Sequence, residues 1–388
     1  MRPVLLAWAA ACPILIGACG SSASGTSASN SPVGANVAAV RPAAPASYRA
    51  PRGAVRVSSA SELRSALAGR RRRAIVLAPG TYGGTRPFAN PHGHRLYGAR
   101  LGRAVLTAGL SLGGNRGPGG GLVRGLVFDV RDARRTVDGA AILVWGTGRG
   151  SRILDTTLRG HRRLSAGVAA RRTEGLVIRR VVVRRFRDFG VLVDANDADR
   201  PEQQEPFAIS DLDVADIARP TPGSSMGRSE ACVWIGDSGS LRRVRARSCA
   251  WSGLWTGTAA RRARFEAIDV DRARTGVYIE HFTTDSTFRS LRIGPRVRVG
   301  LTAEWADPAW GRRPASVGNV IEHSRFESRL VGVYLDEGTT RTTVRRSSFA
   351  NQTWGAIGEY RGRENAIYGN DYGGAPVRHD HLSSAREG

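Results

Sequence analysis

Apolar and outward-facing positions alternate inside a five-residue phrase that recurs along the chain: GVLVD ending at Asp194, GVYIE at Glu280, GLTAE at Glu304, GVYLD at Asp336 and GAIGE at Glu359. CVWIG ending at Gly236 and GLWTG ending at Gly257 keep the frame with glycine last. The second and fourth residues are apolar and the third and fifth point the other way, which predicts a strand with one buried face. The openings at Gly190, Cys232, Gly253, Gly276, Gly300, Gly332 and Gly355 lie mostly 21 to 24 residues apart, with two longer gaps of 42 and 32. A second apolar set, Phe265, Ile268 and Val270, follows Gly253 by 12, 15 and 17 residues, and Phe288, Leu291 and Ile293 follow Gly276 by the same intervals. Two strand signals per period in fixed register predict stacked coils of a solenoid. Earlier copies are less regular: GLVFDV at 125–130, AILVW at 141–145 and GVAAR at 167–171.

Upstream of the coils, Ser61, Glu62, Leu63 and Leu67 predict a short amphipathic helix closed by Arg70 to Arg73, followed by the apolar run IVLAPGTY at 75–82. A helix, an apolar strand and Pro-Gly-Thr-Tyr ahead of such repeats resemble the start of right-handed parallel β-helices of the pectin lyase-like superfamily. In that family the helix caps the open end of the solenoid. The resemblance covers residues 55 to about 375 and implies an all-β fold, one right-handed parallel β-helix of about ten coils with a short N-terminal capping helix. It carries no particular reaction. The Asn-Thr-Asp, paired-Asp and Gly-His-Gly set of polygalacturonases is missing, and the Trp-Ile-Asp-His phrase of pectate lyases survives only as Trp234, Ile235, Gly236, Asp237.

The N-terminus divides the chain further. Arg2, an apolar run from Val4 to Ile16, and Ile16-Gly17-Ala18-Cys19 resemble a bacterial lipoprotein signal with its lipobox. The resemblance implies a signal peptide over 1–18, lipidation of Cys19, and an extracellular protein touching the membrane through its lipid anchor alone; a plain secretory signal is the alternative. Residues 19–52, rich in Ser, Ala and Pro, read as a flexible tether, and 53–388 as the folded body. With Cys12 and Cys19 used, Cys232 and Cys249 remain. Export permits a bridge between them, and two buried free thiols fit the same positions.

The 388 residues carry 58 basic and 33 acidic side chains, a net charge of +25, and every basic residue is arginine. Subtracting Arg2, Arg41, Arg49 and Arg52 leaves 54 minus 33, or +21, on the body. Codon bias alone gives such a surplus; attraction to an anionic polymer is the functional reading. In-register stacking places equivalent residues about 4.8 Å apart. The fifth positions then form an acidic column of Asp194, Glu280, Glu304, Asp336 and Glu359, interrupted by Gly236 and Gly257. The third positions, Leu192, Trp234, Trp255, Tyr278, Thr302, Tyr334 and Ile357, form a second. Glu230, Trp251, Arg274, Arg298 and Leu330 form a third.

Rings beside carboxylates and arginines suit a sugar polymer, so Trp234, Trp255, Tyr278 and Tyr334, with His281, Trp305 and Trp310 from neighbouring turns and loops, are the candidate substrate contacts. Glu280, Glu304, Asp336 and Glu359 are the candidate catalytic carboxylates. Adjacent coils match a retaining glycosidase pair and alternate coils an inverting one. Glu280, Glu304 and Asp336 could equally hold calcium. In pectate lyase-like families such calcium works with a basic residue that removes a proton, a role that falls here on Arg274 or Arg298. Expected overall is a monomeric, carbohydrate-active protein that binds a polysaccharide, anionic by its charge balance, and cleaves it as lyase or glycoside hydrolase. The alternative is a non-catalytic polysaccharide-binding or surface-attachment protein. Nucleic acid is disfavoured because the aromatic face carries acids rather than interleaved arginines.

Overall fold

The computed structural model describes residues 37–44, 46, 48–114, 120–146, 148–171, 174–194, 206–217, 230–257, 260–280, 282–303 and 316–379. It is a parallel β-helix whose coils each contribute to three sheets. Sheet I holds the repeated phrase. Its eleven successive parallel pairings link twelve strands from Phe88–Asn90 to Val377–Arg378. Sheet II begins at Val55–Val57 and Ala74–Leu77, and sheet III at Gly80–Tyr82 and Ala104–Leu106. AILVW and GVAAR pair with each other in sheet I, whereas GLVFDV lies in sheet III beside Thr157–Arg159.

The capping helix is Ala60–Ala68, with the Ser59 side chain accepting from the Glu62 N–H and with Leu63 and Leu67 buried against the first coil. It ends at Gly69, so Arg70 to Arg73 lie beyond it and lead into the first strand of the coils.

The inward positions are those expected from the alternation. Val233, Ile235, Leu254, Val277, Ile279, Leu301, Val333 and Leu335 are fully buried in one continuous core. The second apolar set lines the other walls, where Phe265 stacks on Phe288 with ring centroids 4.7 Å apart. The opening glycine sits where the chain turns into sheet I. A Cβ at Gly253 would lie 2.6 Å from the Val270 side chain and 2.8 Å from the Gly276 carbonyl oxygen of the next coil. Cys232 is the exception, and it points into the core to form a disulfide with Cys249, Cα atoms 5.5 Å apart.

Between sheets II and III the chain turns through single residues in the left-handed region, among them Asp155, Arg180, Asp211 and Arg243, stacked coil on coil. Left-handed backbone costs a non-glycine residue about 1–2 kcal/mol. Here charge-assisted bonds offset it: Arg124 and Arg180 donate to Asp155, and Arg243 donates to Asp211 at 2.7 and 2.8 Å. The Arg243 guanidinium holds the Asp211 carboxyl down at about 2.

The same ladder corrects the N-terminal boundary. Ala43 N–H donates to Asp211 at 3.2 Å and Ala46 N–H to Asp155 at 3.0 Å, while the Tyr48 hydroxyl donates to the Gly98 carbonyl at 2.6 Å beneath the Arg124 guanidinium. The last part of the segment read as a tether is therefore a strap across several coils. Its composition predicts no core of its own, and its partners are backbone and carboxylate groups of the solenoid.

Gly253→Ala is expected to overpack the corner and cost about 1–3 kcal/mol, read from the urea midpoint. Replacing Cys232 and Cys249 together by Ala is expected to lower stability by about 2–4 kcal/mol, with reductant bringing the unaltered protein toward the same midpoint.

Candidate functional site

The third-position column forms as expected through Thr302 and Tyr334: Leu192 pairs with Trp234, Trp234 with Trp255, Trp255 with Tyr278, and Tyr278 with Thr302. Its rings pack on one another outside the coil core. Trp255 and Tyr278 meet edge to face at 5.0 Å, Trp251 reaches Tyr278 at 6.3 Å, and Tyr334 meets Trp354 at 6.1 Å. Trp255 and Tyr278 are each 8 % exposed and Tyr334 2 %, so Trp234, half-buried, is the most accessible of the four.

Among the described residues the acidic column runs Asp194, Gly236, Gly257, Glu280, is met again at Asp336, and then slips. Leu335 pairs with Glu359 and Tyr334 with Gly358, so Tyr360 follows Asp336 in the stack. Glu359 leaves the outward column, and Ile357 is buried in the core opposite Val333. Trp354 packs with Val331 and Tyr334 just before the last phrase, and the Glu359 carboxylate accepts from Asn365 at 2.8 Å. Gly257 of the column also has a role. A Cβ at Gly257 would collide with the Glu280 carboxyl, which lies over it and accepts from Trp255 Nε1 at 2.9 Å.

Burial pushes the Glu280 carboxyl up to about 7, with the Trp255 N–H opposing the shift. Glu280 is therefore a proton donor near neutrality. Asp336 is half-buried and accepts from the Glu337 N–H at 2.8 Å. Arg274 is exposed, with its guanidinium 4.6 Å from the Trp251 ring centroid; Arg298 is half-buried in the next coil. Glu304, Trp305, Trp310, His281 and Cys19 lie outside the described residues. Among the described residues no three His, Cys, Asp or Glu side chains gather as a metal site; the calcium triad expected from sequence includes Glu304.

Two acids rise beside those anticipated. Glu230 is 6 % exposed, its Oε2 is buried without a hydrogen-bond partner, and burial followed by the neighbouring Asp188 carboxylate pushes it up to about 7. Asp237 is 2 % exposed and is pushed up to about 6 by burial, despite accepting from the Ser238 N–H. The third-column register named Glu230, but only the packing shows it to be desolvated.

No known family model and no curated protein sequence matches the chain. Among solved structures it is similar to the A-module of the mannuronan C-5 epimerase AlgE4 of Azotobacter vinelandii, at 15 % identity and a TM-score of 0.55 over 85 % of this chain and 97 % of that one. It is also similar to the catalytic unit of a GH87 α-1,3-glucanase from Streptomyces thermodiastaticus, at 10 % identity and a TM-score of 0.51 over 88 % and 72 %. These likenesses define the class of fold: the chain is an all-β parallel β-helix protein, sharing an architecture with carbohydrate-active proteins.

Between pH about 4.5 and 7 the folded protein keeps protons on Glu280 and Glu230 that the unfolded chain releases. Stability is therefore expected to fall as pH rises through that window and to level above it. The double variant Glu230→Gln, Glu280→Gln should remove this part of the slope in urea titrations at stepped pH.

Proposed function

We propose that this protein binds a polysaccharide along the outward face of sheet I and hydrolyses it, with Glu280 as the acid. The observation that carries the reading is the Glu280 carboxyl, protonated near neutrality by burial on an outward face and aimed by the Trp255 indole. In the reaction Glu280 gives its proton to the glycosidic oxygen as the bond to the anomeric carbon breaks. A water adds to that carbon and loses its proton to Asp336. Glu280 and Asp336 stand two coils apart, about 9.6 Å by strand spacing, at the upper edge of the separation that leaves room for water in an inverting enzyme. Trp234 offers its accessible ring to a sugar face, and the buried Trp255, Tyr278 and Tyr334 hold the platform rigid.

The protein works outside the cell in this reading, with residues 1–18 as a signal and Cys19 as the lipid-bearing residue, and acts as a monomer. The fold is shared with a protein named as a polysaccharide epimerase and another named as a glucanase, which supports a polysaccharide as the ligand.

Incubation with neutral and uronic-acid glycans, with and without calcium, tests the reaction. New reducing ends are expected, and Glu280→Gln should lower their rate about a hundredfold or more while leaving binding in place. Ultraviolet absorbance of an unsaturated uronate would instead establish elimination, with Arg274 or Arg298 as the base. Binding without either product would leave the non-catalytic, surface-attachment reading.

A further inference from the structure

Many arginines on the walls of the solenoid are ion-paired, as in Arg184 and Arg247 with Asp213, Arg292 with Asp269, and Arg345 with Glu322. Arg261, Arg262 and Arg264 are among those that are not, and they gather on one cavity wall. These three guanidiniums, within four residues of one another, make no ion pair among the described residues, and Arg261 Nε is buried with no hydrogen-bond partner. All three line one cavity of about 910 Å³. That is at the upper end of the range for ligand-binding pockets.

The cavity is built by the coil register. Arg264 stands between Ser240 of the preceding coil and Thr287 of the following one, and Arg261 bridges to Thr284, whose carbonyl accepts from the Arg262 N–H at 2.9 Å. The Ser240 and Thr284 hydroxyl-bearing residues share its wall. Three of its four lining segments follow sheet I by a few residues, after Gly236, Gly257 and Glu280 respectively, so the cavity opens around the corner from the acid column.

We propose that this cavity is an anion subsite for an acidic polysaccharide, in which Arg261, Arg262 and Arg264 pair with carboxylate or sulfate groups of the polymer while Ser240 and Thr284 meet its hydroxyls. The site deepens the reading of the protein as acting on a polysaccharide by naming the charge of the polymer. Three guanidiniums that make no ion pair among the described residues, gathered on one wall against the single carboxylate of Asp285, leave strong donors to an incoming anion. A sugar polymer fits better than a single-stranded nucleic acid because the one aromatic lining residue, Phe207, is 2 % exposed and provides no stacking surface for bases.

Calorimetry of the full chain with four probes tests it: hexagalacturonate, a heparin hexasaccharide, maltohexaose and a single-stranded oligothymidylate. Either or both acidic hexasaccharides are expected to bind, with affinity falling as salt rises, and the two arms separate carboxylate from sulfate as the group bound. Arg262→Gln combined with Arg264→Gln should weaken that binding about a hundredfold, roughly tenfold for each guanidinium removed. The variant Arg152→Gln, Arg179→Gln removes the same charge from exposed positions elsewhere and should bind as the unaltered protein does, and matched melting curves will establish that both variants fold. Equal loss in the two variants, absence of binding by either acidic hexasaccharide, or tighter groove-dependent binding of the oligothymidylate would each overturn the site. Binding of an acidic hexasaccharide that is never cleaved leaves the subsite standing and removes the hydrolase; cleavage of neutral glycans indifferent to these arginines does the reverse.

Discussion

The whole molecule depends on parallel strands hydrogen-bonding coil to coil in register. That ladder sets a spacing of about 4.8 Å between equivalent residues and forces whatever stands at one position to be compatible with its copy above and below. Glycine at the start of the sheet I phrase follows directly. At Gly276 and Gly300 a Cβ would be driven into the carbonyl of the next coil and into core side chains, so the corner closes only without one. Cys232 occupies that corner by continuing inward to Cys249, which turns a crowded position into a covalent tie.

The same spacing is hostile to charge, and each wall handles it differently. Along the corner between sheets II and III, acids and arginines alternate: Asp155, Arg180, Asp211 and Arg243 form a stack in which like charges never face one another directly. Part of the large arginine surplus is thereby spent inside the fold, and the strap at Ala43, Ala46 and Tyr48 is bound by the same acids and the same arginine layer. On sheet I the acid column avoids repulsion by other means. Gly236 and Gly257 interrupt it, Glu280 keeps its proton by being desolvated over Gly257, and the register slip at the last phrase takes Glu359 out of line.

In the proposed reading the proton on Glu280 is held by burial rather than by a neighbouring charge. A carboxyl that stays neutral near pH 7 costs a solenoid less than an ionised one in a stack, and it is also the form that can donate a proton. Glu230 obeys the same logic at the opposite edge of the aromatic patch, where the Asp188 carboxylate of the preceding coil adds to burial. The rings between them serve as packing: Trp255 and Tyr278 are buried against each other, and Trp234 remains the most accessible ring of the column.

The architecture was legible in the chain because periodicity is a one-dimensional signal. The 21-to-24-residue recurrence and the alternation within each phrase are enough to assign stacked coils, the inward set, the aromatic column and most of the acid column. Tertiary structure alone decided what depends on three-dimensional crowding and burial. It closed the Cys232–Cys249 bridge, shifted Glu359 and Ile357 by one register, and docked the end of the apparent tether. It also gathered Arg261, Arg262 and Arg264 on one cavity wall, and desolvated Glu230 and Glu280. A repeat fixes which residues are neighbours along the stack, but a proton's affinity and an arginine's partner are set by the water excluded and the charges brought near from other coils, and no spacing along the chain records those.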